Sequence, residues 1–139
     1  HDALPISRLG RAATASAAAE LYAAFNAPIL ITDLRTAEMI KYASNAFLAV
    51  KLSYVNEIAT LCEQLGADAL DVVTGMGYDQ RIGRDALKPG PGWGGSCLPK
   101  DTAALTHMAT SAGTSVSIVQ AAMTAMFRMS FTVELVEHI

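Results

Sequence analysis

The chain is poor in charge, aromatics and cysteine. Only 17% of its 139 residues are charged and 6% are aromatic. Ten Lys and Arg against thirteen Asp and Glu leave a formal charge of −3. That balance provides no basic patch for nucleic acid or for an anionic membrane surface. No apolar run reaches the roughly 18 residues that a membrane span requires. The two cysteines, Cys62 and Cys97, make neither a disulfide framework nor a zinc-type spacing, so no metal is expected. Sparse cysteine suits a reducing cytoplasm. The chain does not begin with Met, and Arg8, Arg11 and several Ser and Thr interrupt any signal-peptide core. It reads as a piece of a longer protein, with first residues that look non-native or processed. The chain reads as lacking a G-x-G-x-x-G run, and so the dinucleotide-binding fingerprint.

What is present is apolar and periodic. Hydrophobic residues make up 52% of the chain, enough for a core. Leu9 to Phe25 is Ala-rich and predicts a helix, stopped by Asn26-Ala27-Pro28. Ile29 to Leu34 is β-branched and predicts a strand, the only one the pattern supports. A lone strand cannot form a stable sheet. Helix and strand together therefore read as the last piece of a parallel α/β domain. Thr36 is the expected N-cap of a helix of about thirty residues, with Gly66 as its C′ residue after Leu65. Such a helix is roughly 45 Å long at about 1.5 Å per residue. Being apolar around much of its circumference, it needs two partner surfaces, its own domain and a second subunit. A short helix is expected over Asp68 to Thr74, then a turn at Gly75-Met76-Gly77. Pro99 to Ser111 predicts a third helix closed by Gly113. Ser115 or Ser117 should cap a last helix running to the C-terminus.

The richest segment is Leu87 to Leu105, LKPGPGWGGSCLPKDTAAL. Four glycines and two prolines lead into Cys97, and a helical run follows. A thiol at a helix N-terminus beside Lys100 is favoured as the nucleophilic thiolate. Asp101 lies four residues on, about one helical turn, so it shares a face with Cys97. Amides of Gly92, Gly94 and Gly95 suit phosphate oxygens. Upstream, Lys41 and Asn45 stand i, i+4 on the long helix and project from one side of it.

GPGWGGSCLPKD closely resembles the active-site segment of the UDP-glucose/GDP-mannose dehydrogenase family, Gly-aromatic-Gly-Gly-Ser/Tyr-Cys-x-x-Lys-Asp. Two further blocks agree. AEMIKYASNAFLAVKLSYVNEIATLCEQLGAD, from Ala37, resembles the helix that opens the family's central domain, with Lys41, Asn45 and Asn56-Glu57 in place. DQRIGRDALKPG, from Asp79, resembles the lead into the glycine loop. The resemblance runs from about Ala27 to about Ala112.

It implies a mainly α protein, with the helical central dimerisation domain over residues 35–139 and a catalytic loop at 88–101. Residues 1–34 would be a helix–strand remnant of a Rossmann-like NAD-binding domain. The implied reaction is NAD-dependent oxidation of the C6 alcohol of UDP-glucose to UDP-glucuronate. A Cys97 thiohemiacetal and thioester would be intermediates. Lys41 and Asn45 would hydrogen-bond the oxyanion, and Asp101 would orient water or assist proton transfer. Arg81 and Lys88 would contact the sugar nucleotide, Arg81 in a neighbouring subunit. Trp93 would pack against the sugar nucleotide or anchor the loop. Lys100 would lie near the NAD, which is held mainly by a domain outside this chain. The expected assembly is a homodimer through the long helix. Two alternatives stand: a GDP-mannose or UDP-N-acetyl-sugar dehydrogenase, or a non-catalytic helical dimerisation module. The last helix departs from the family pattern, since FRMSFTVELVEHI lacks the expected Asn and Gln.

Overall fold

The computed structural model describes residues 4–7 and 12–136, with side-chain surroundings for 15–126. In chain order it contains β1 (Leu4–Ser7), α1 (Ala12–Tyr22), a 3-10 turn (Ala23–Phe25), β2 (Ile29–Thr32), α2 (Leu34–Leu65), α3 (Ala69–Gly77), α4 (Cys97–Ser111) and α5 (Ser117–Val136). The chain divides into two compact units, His1–Ser44 and Asn45–Ile139.

The first unit is a β-α-β element. β1 and β2 pair in parallel, with Leu4 opposite Ile29 and Ser7 opposite Thr32. Only β2 was expected from the pattern. β1 is four residues long and carries Pro5, so alternation cannot distinguish it from a loop, and its partner alone makes it a strand. Residues 8–11, the expected start of the Ala-rich helix, lie outside the described residues. That helix ends in the 3-10 turn, and Asn26 takes a left-handed conformation at φ 50°, which Asn tolerates better than most residues.

The cap of α2 is Asp33 rather than Thr36. Its Oδ1 accepts the Thr36 N–H at 3.1 Å and its Oδ2 accepts the Thr36 hydroxyl at 2.6 Å. A carboxylate three residues upstream satisfies an orphan amide and meets the positive end of the helix. β2 consequently stops at Thr32, two residues short of the expected end. The bonds from Thr36 hold the Asp33 carboxyl below its ordinary range. Its contribution is therefore present above the unfolded-state pKa and lost as pH falls through the lower folded value. Asp33→Ala should fray the first turn of α2, read as faster amide exchange at Thr36 than in the unmodified chain; equal exchange would refute the cap.

At its far end α2 stops where expected. Gly66 has φ 68° and the Ala67 N–H reaches back to the Cys62 carbonyl at 2.9 Å, the bond of a Schellman ending.

The second unit packs α3 and the chain after it on α2. Asp68 caps α3, accepting from the Leu70 and Asp71 amides at 2.8 and 3.0 Å. α3 then runs through Gly75-Met76-Gly77, where a turn was expected. Each helical glycine costs about 1 kcal/mol against Ala. Tertiary packing overrides this: Val55, Val73 and Leu87 form the core, with Met76 against it. Gly77 is also required by space, since a Cβ there would lie 2.9 Å from Arg84 Cγ.

α4 starts at Cys97, two residues before the expected Pro99. Pro99 sits third in the helix, still within the first turn, where a missing N–H costs nothing. Gly113, at φ 72°, follows α4 as expected. α5 begins at Ser117, with the Val116 carbonyl accepting the Gln120 N–H at 3.0 Å. The Ser117 cap is thus replaced by a start one residue earlier in register. Residues 137–139, the end of the expected last helix, lie outside the described residues.

Candidate active site

α4 presents the thiol. Cys97 is its first residue and is exposed, with its Sγ 3.8 Å from the Ser96 hydroxyl. One turn along, Asp101 is fully buried. Its Oδ2 accepts a hydrogen bond from Asn45 Nδ2 at 2.6 Å, across 56 residues of sequence. Lys100 Nζ lies 3.4 Å from the other oxygen, while its own side chain is mostly exposed. The short amide–carboxylate contact is charge-assisted. It joins α2 to α4 one helical turn from the thiol. Lys41 stands one turn before Asn45 on α2, with Nζ 5.5 Å from the Tyr42 ring centroid.

The loop before Cys97 is glycine-dependent at two points. Gly92 has φ 110° and Gly95 has φ 75°; side chains there would be strained. Gly90 and Gly94 carry no such constraint, and open space surrounds the Cβ position at all four. Gly95→Ala should therefore destabilise through backbone strain alone, by about 1–2 kcal/mol, measured as a fall in unfolding midpoint. No change would show that the loop reaches its position by another backbone path.

Gly90, Gly92 and Gly95 do satisfy the bare spacing G-x-G-x-x-G. No strand precedes them: Leu87 to Gly90 is irregular chain packed on α2. The spacing therefore lacks the βα turn that gives the fingerprint its meaning.

Trp93 is buried, 6% exposed, and its Nε1–H donates to Ser53 Oγ at 2.8 Å. The ring is held inside the unit. Arg81 is exposed and bound locally, its Nη2 2.6 Å from Asp79 Oδ2. This pairing, with the Arg81 amide, draws the Asp79 carboxyl below its ordinary value. The pair persists above the ordinary carboxylate range and breaks as pH falls through the lowered Asp79 value. A carboxyl NMR titration of Asp79 should place its midpoint below 3.8; a midpoint at or above that value would mean the pair does not persist in solution. Lys88 lines a cavity of about 290 Å³ with Leu70, Val73, Thr74, Arg84 and Leu87.

Sequence reasoning did not single out Ser53, and it noted Asn56 only as part of a resemblance. Asn56 Oδ1 accepts the Gly90 N–H at 2.8 Å, and Ser53 donates to the Ala122 carbonyl at 3.1 Å. The available signal was a polar stripe on an otherwise apolar buried face of the long helix. Among the described residues no group of His, Cys, Asp and Glu could hold a metal ion, and no helix is long and apolar enough to cross a membrane.

Residues 35–125 match the central domain of the UDP-glucose/GDP-mannose dehydrogenase family. Over 125 residues the chain is 50% identical to the UDP-glucose 6-dehydrogenase TuaD of Bacillus subtilis, covering 87% of this chain and 27% of that protein. It is 58% identical over 96 residues to YwqF, a UDP-glucose 6-dehydrogenase of the same organism, covering 69% of this chain and 22% of that one. A solved UDP-glucose dehydrogenase from the archaeon Pyrobaculum islandicum superposes with a TM-score of 0.81 at 40% identity, covering 94% of this chain and 29% of that chain. The chain thus spans roughly a quarter of the length of the relatives it matches. A long helix joined by Asn45 to the Asp101 that follows an exposed thiol, and a match over 35–125, place this chain in the UDP-glucose/GDP-mannose dehydrogenase family, whose central domain it carries.

Proposed function

We propose that the chain is the central part of an NAD-dependent enzyme that oxidises the C6 alcohol of UDP-glucose to the carboxylate. The observation that carries this reading is the Asn45–Asp101 hydrogen bond of 2.6 Å. It fixes a carboxylate and an amide donor one turn from an exposed thiol at a helix start.

The overall change removes four electrons: alcohol, water and two NAD give carboxylate, two NADH and three protons. The β-to-α junction that is described, from β2 to α2, passes through Asp33 and has no glycine-rich turn for a dinucleotide phosphate. There the Asp33 carboxylate accepts the Thr36 N–H. NAD supplies the hydride acceptor from elsewhere in the enzyme, and the chain's own part is the sulfur chemistry. The Cys97 thiolate adds to the C6 aldehyde, forming a C–S bond and an alkoxide. Asn45 and Lys41 donate hydrogen bonds to that oxygen, where preorganised donors are most effective. At the thioester stage water attacks the carbonyl, and the C–S bond breaks to return the thiol. Asp101 holds the water or takes its proton. Exposed amides of Gly94 and Gly95, with Gly92, face the diphosphate. Arg81, reaching the substrate of a neighbouring subunit, and Lys88 would contact the sugar nucleotide, and Lys100 would lie near the cofactor.

α2 supports a homodimer. Phe47, Tyr54, Leu61 and Leu65 are each at least half exposed along it, an apolar row that water alone would leave unsatisfied. Light scattering of the complete protein at micromolar concentration should give a dimer mass; a monodisperse monomer would contradict the assignment. A reducing compartment such as the cytoplasm suits the free thiols.

The test is NADH formation by the complete enzyme, offered UDP-glucose and GDP-mannose separately. Two NADH per UDP-glucose is the expected result. Turnover of GDP-mannose alone would keep the chemistry and change the substrate. Turnover of neither would leave a helical dimerisation module.

A further inference from the structure

One face of α2 acts as a template for the loop that carries the thiol. Asn45, Ser53 and Asn56 fall within a stripe of about 80° on a helix of 3.6 residues per turn. Each holds a different point of the segment Gly90 to Asp101. Asn56 Oδ1 accepts the Gly90 N–H at 2.8 Å. Ser53 Oγ accepts the Trp93 Nε1–H at 2.8 Å. Asn45 Nδ2 donates to Asp101 at 2.6 Å. Along α2 from 56 to 45 the partners come in the order 90, 93, 101, so the segment runs antiparallel to the helix. Its ends are held about 16 Å apart by eleven residues of helical rise. Cys97 lies four residues from the second anchor and four from the third.

The middle anchor has a fixed polarity. An indole N–H can only donate. The Ser53 hydroxyl must therefore accept from Trp93, and its one proton goes to the Ala122 carbonyl at 3.1 Å. Both Ser53 and Trp93 are buried, at 4% and 6% exposure. The hydroxyl thus ties the loop to α2 and α5 at one atom.

We infer that Ser53 and Asn56 are positioning residues for the thiol: they set the register of the loop on α2 and so fix where Cys97 stands relative to Asn45 and Asp101. The inference rests on the thiol chemistry proposed above.

A double-mutant cycle in the complete enzyme tests it. Ser53→Ala and Trp93→Phe cut the same bond, and the phenyl ring keeps most of the indole's bulk. Each should lower kcat about tenfold with KM within about twofold, because small misplacement of a reacting group is costly. The double variant should be no slower than the worse single one. Asn56→Asp keeps an acceptor for the Gly90 amide and should retain most of kcat, whereas Asn56→Leu should lose it about tenfold. Unchanged kcat with a lowered unfolding midpoint would overturn the inference, leaving the bonds to hold the fold alone. Effects that multiply in the double variant would also overturn it, as would a rise in KM at constant kcat in Trp93→Phe, which would put the ring on the substrate. A substrate-free measurement separates this from the functional reading: the rate of Cys97 alkylation by iodoacetamide should change in the same order across the variants. If the unmodified enzyme makes no NADH, the functional reading fails, and the alkylation series still decides on the anchors: altered rates uphold them and equal rates overturn them.

Discussion

Replacing Cys97 with serine should abolish acid formation from UDP-glucose and leave the fold intact. Cys97 is exposed, and its Sγ lies 3.8 Å from the Ser96 hydroxyl. Substitutions at such sites change stability by no more than about 0.5 kcal/mol. The chemical consequence is far larger. A serine hydroxyl is almost wholly protonated at neutral pH, so addition to an aldehyde slows. Any ester that did form would hydrolyse slowly, because an alkoxide leaves less readily than a thiolate. Losing an essential nucleophile costs on the order of 10³ or more in turnover. Stopped product analysis of the complete enzyme is the measurement: two NADH and one carboxylate per UDP-glucose in the unmodified protein, neither in the variant. Full-rate acid formation by Cys97→Ser would remove the thioester from the scheme.

The second large effect should come from Asp101→Asn. The carboxylate is fully buried, bonded to Asn45 and close to Lys100. An asparagine keeps its shape and still offers an oxygen to Asn45 Nδ2. It loses the charge, and with it any role in orienting or deprotonating water. The stability loss should be about 1 kcal/mol, the difference between a charge-assisted and a neutral hydrogen bond. The rate should fall by about 10² to 10⁴, the usual worth of a positioned acid or base, or about 3–5 kcal/mol of barrier. Asp101→Ala would confuse the two, because it strands a part-buried amide. The informative readout is therefore the ratio: large loss of kcat at nearly constant unfolding midpoint. A variant that turned over within about twofold of the unmodified enzyme would reduce Asp101 to a structural acceptor for Asn45.

These expectations differ in how much of them the sequence could supply. Gly66 at the end of α2 was readable because a left-handed C′ residue has few alternatives to glycine. The thiol at a helix start was readable from Gly, Pro, Cys and an Ala-rich run in order. Local chemistry of this kind acts over one turn, within the reach of a pattern. Thr36 reads as a cap because Ser and Thr share that role with Asp. Only the structure shows that the Asp33 carboxylate already occupies the Thr36 amide. β1 was invisible because four residues with a proline hold no periodicity, and pairing with β2 across more than twenty residues makes them a strand. Gly75 and Gly77 argued for a turn, and packing of Val73 and Met76 on Val55 and Leu87 kept them helical.

The sequence by itself determined the long helix, the glycine loop, the position of the thiol and the family to which they belong. Each rests on residue types whose backbone preferences or chemistry are nearly unique at that spacing. The tertiary structure decided which side chains meet: Asn45 with Asp101 across 56 residues, and Trp93 turned inward to Ser53. A linear pattern records what each residue can donate or accept. Which partner it finds depends on how α2, α4, α5 and the loop pack, where a buried donor must find an acceptor that the fold, and not its neighbours in sequence, provides.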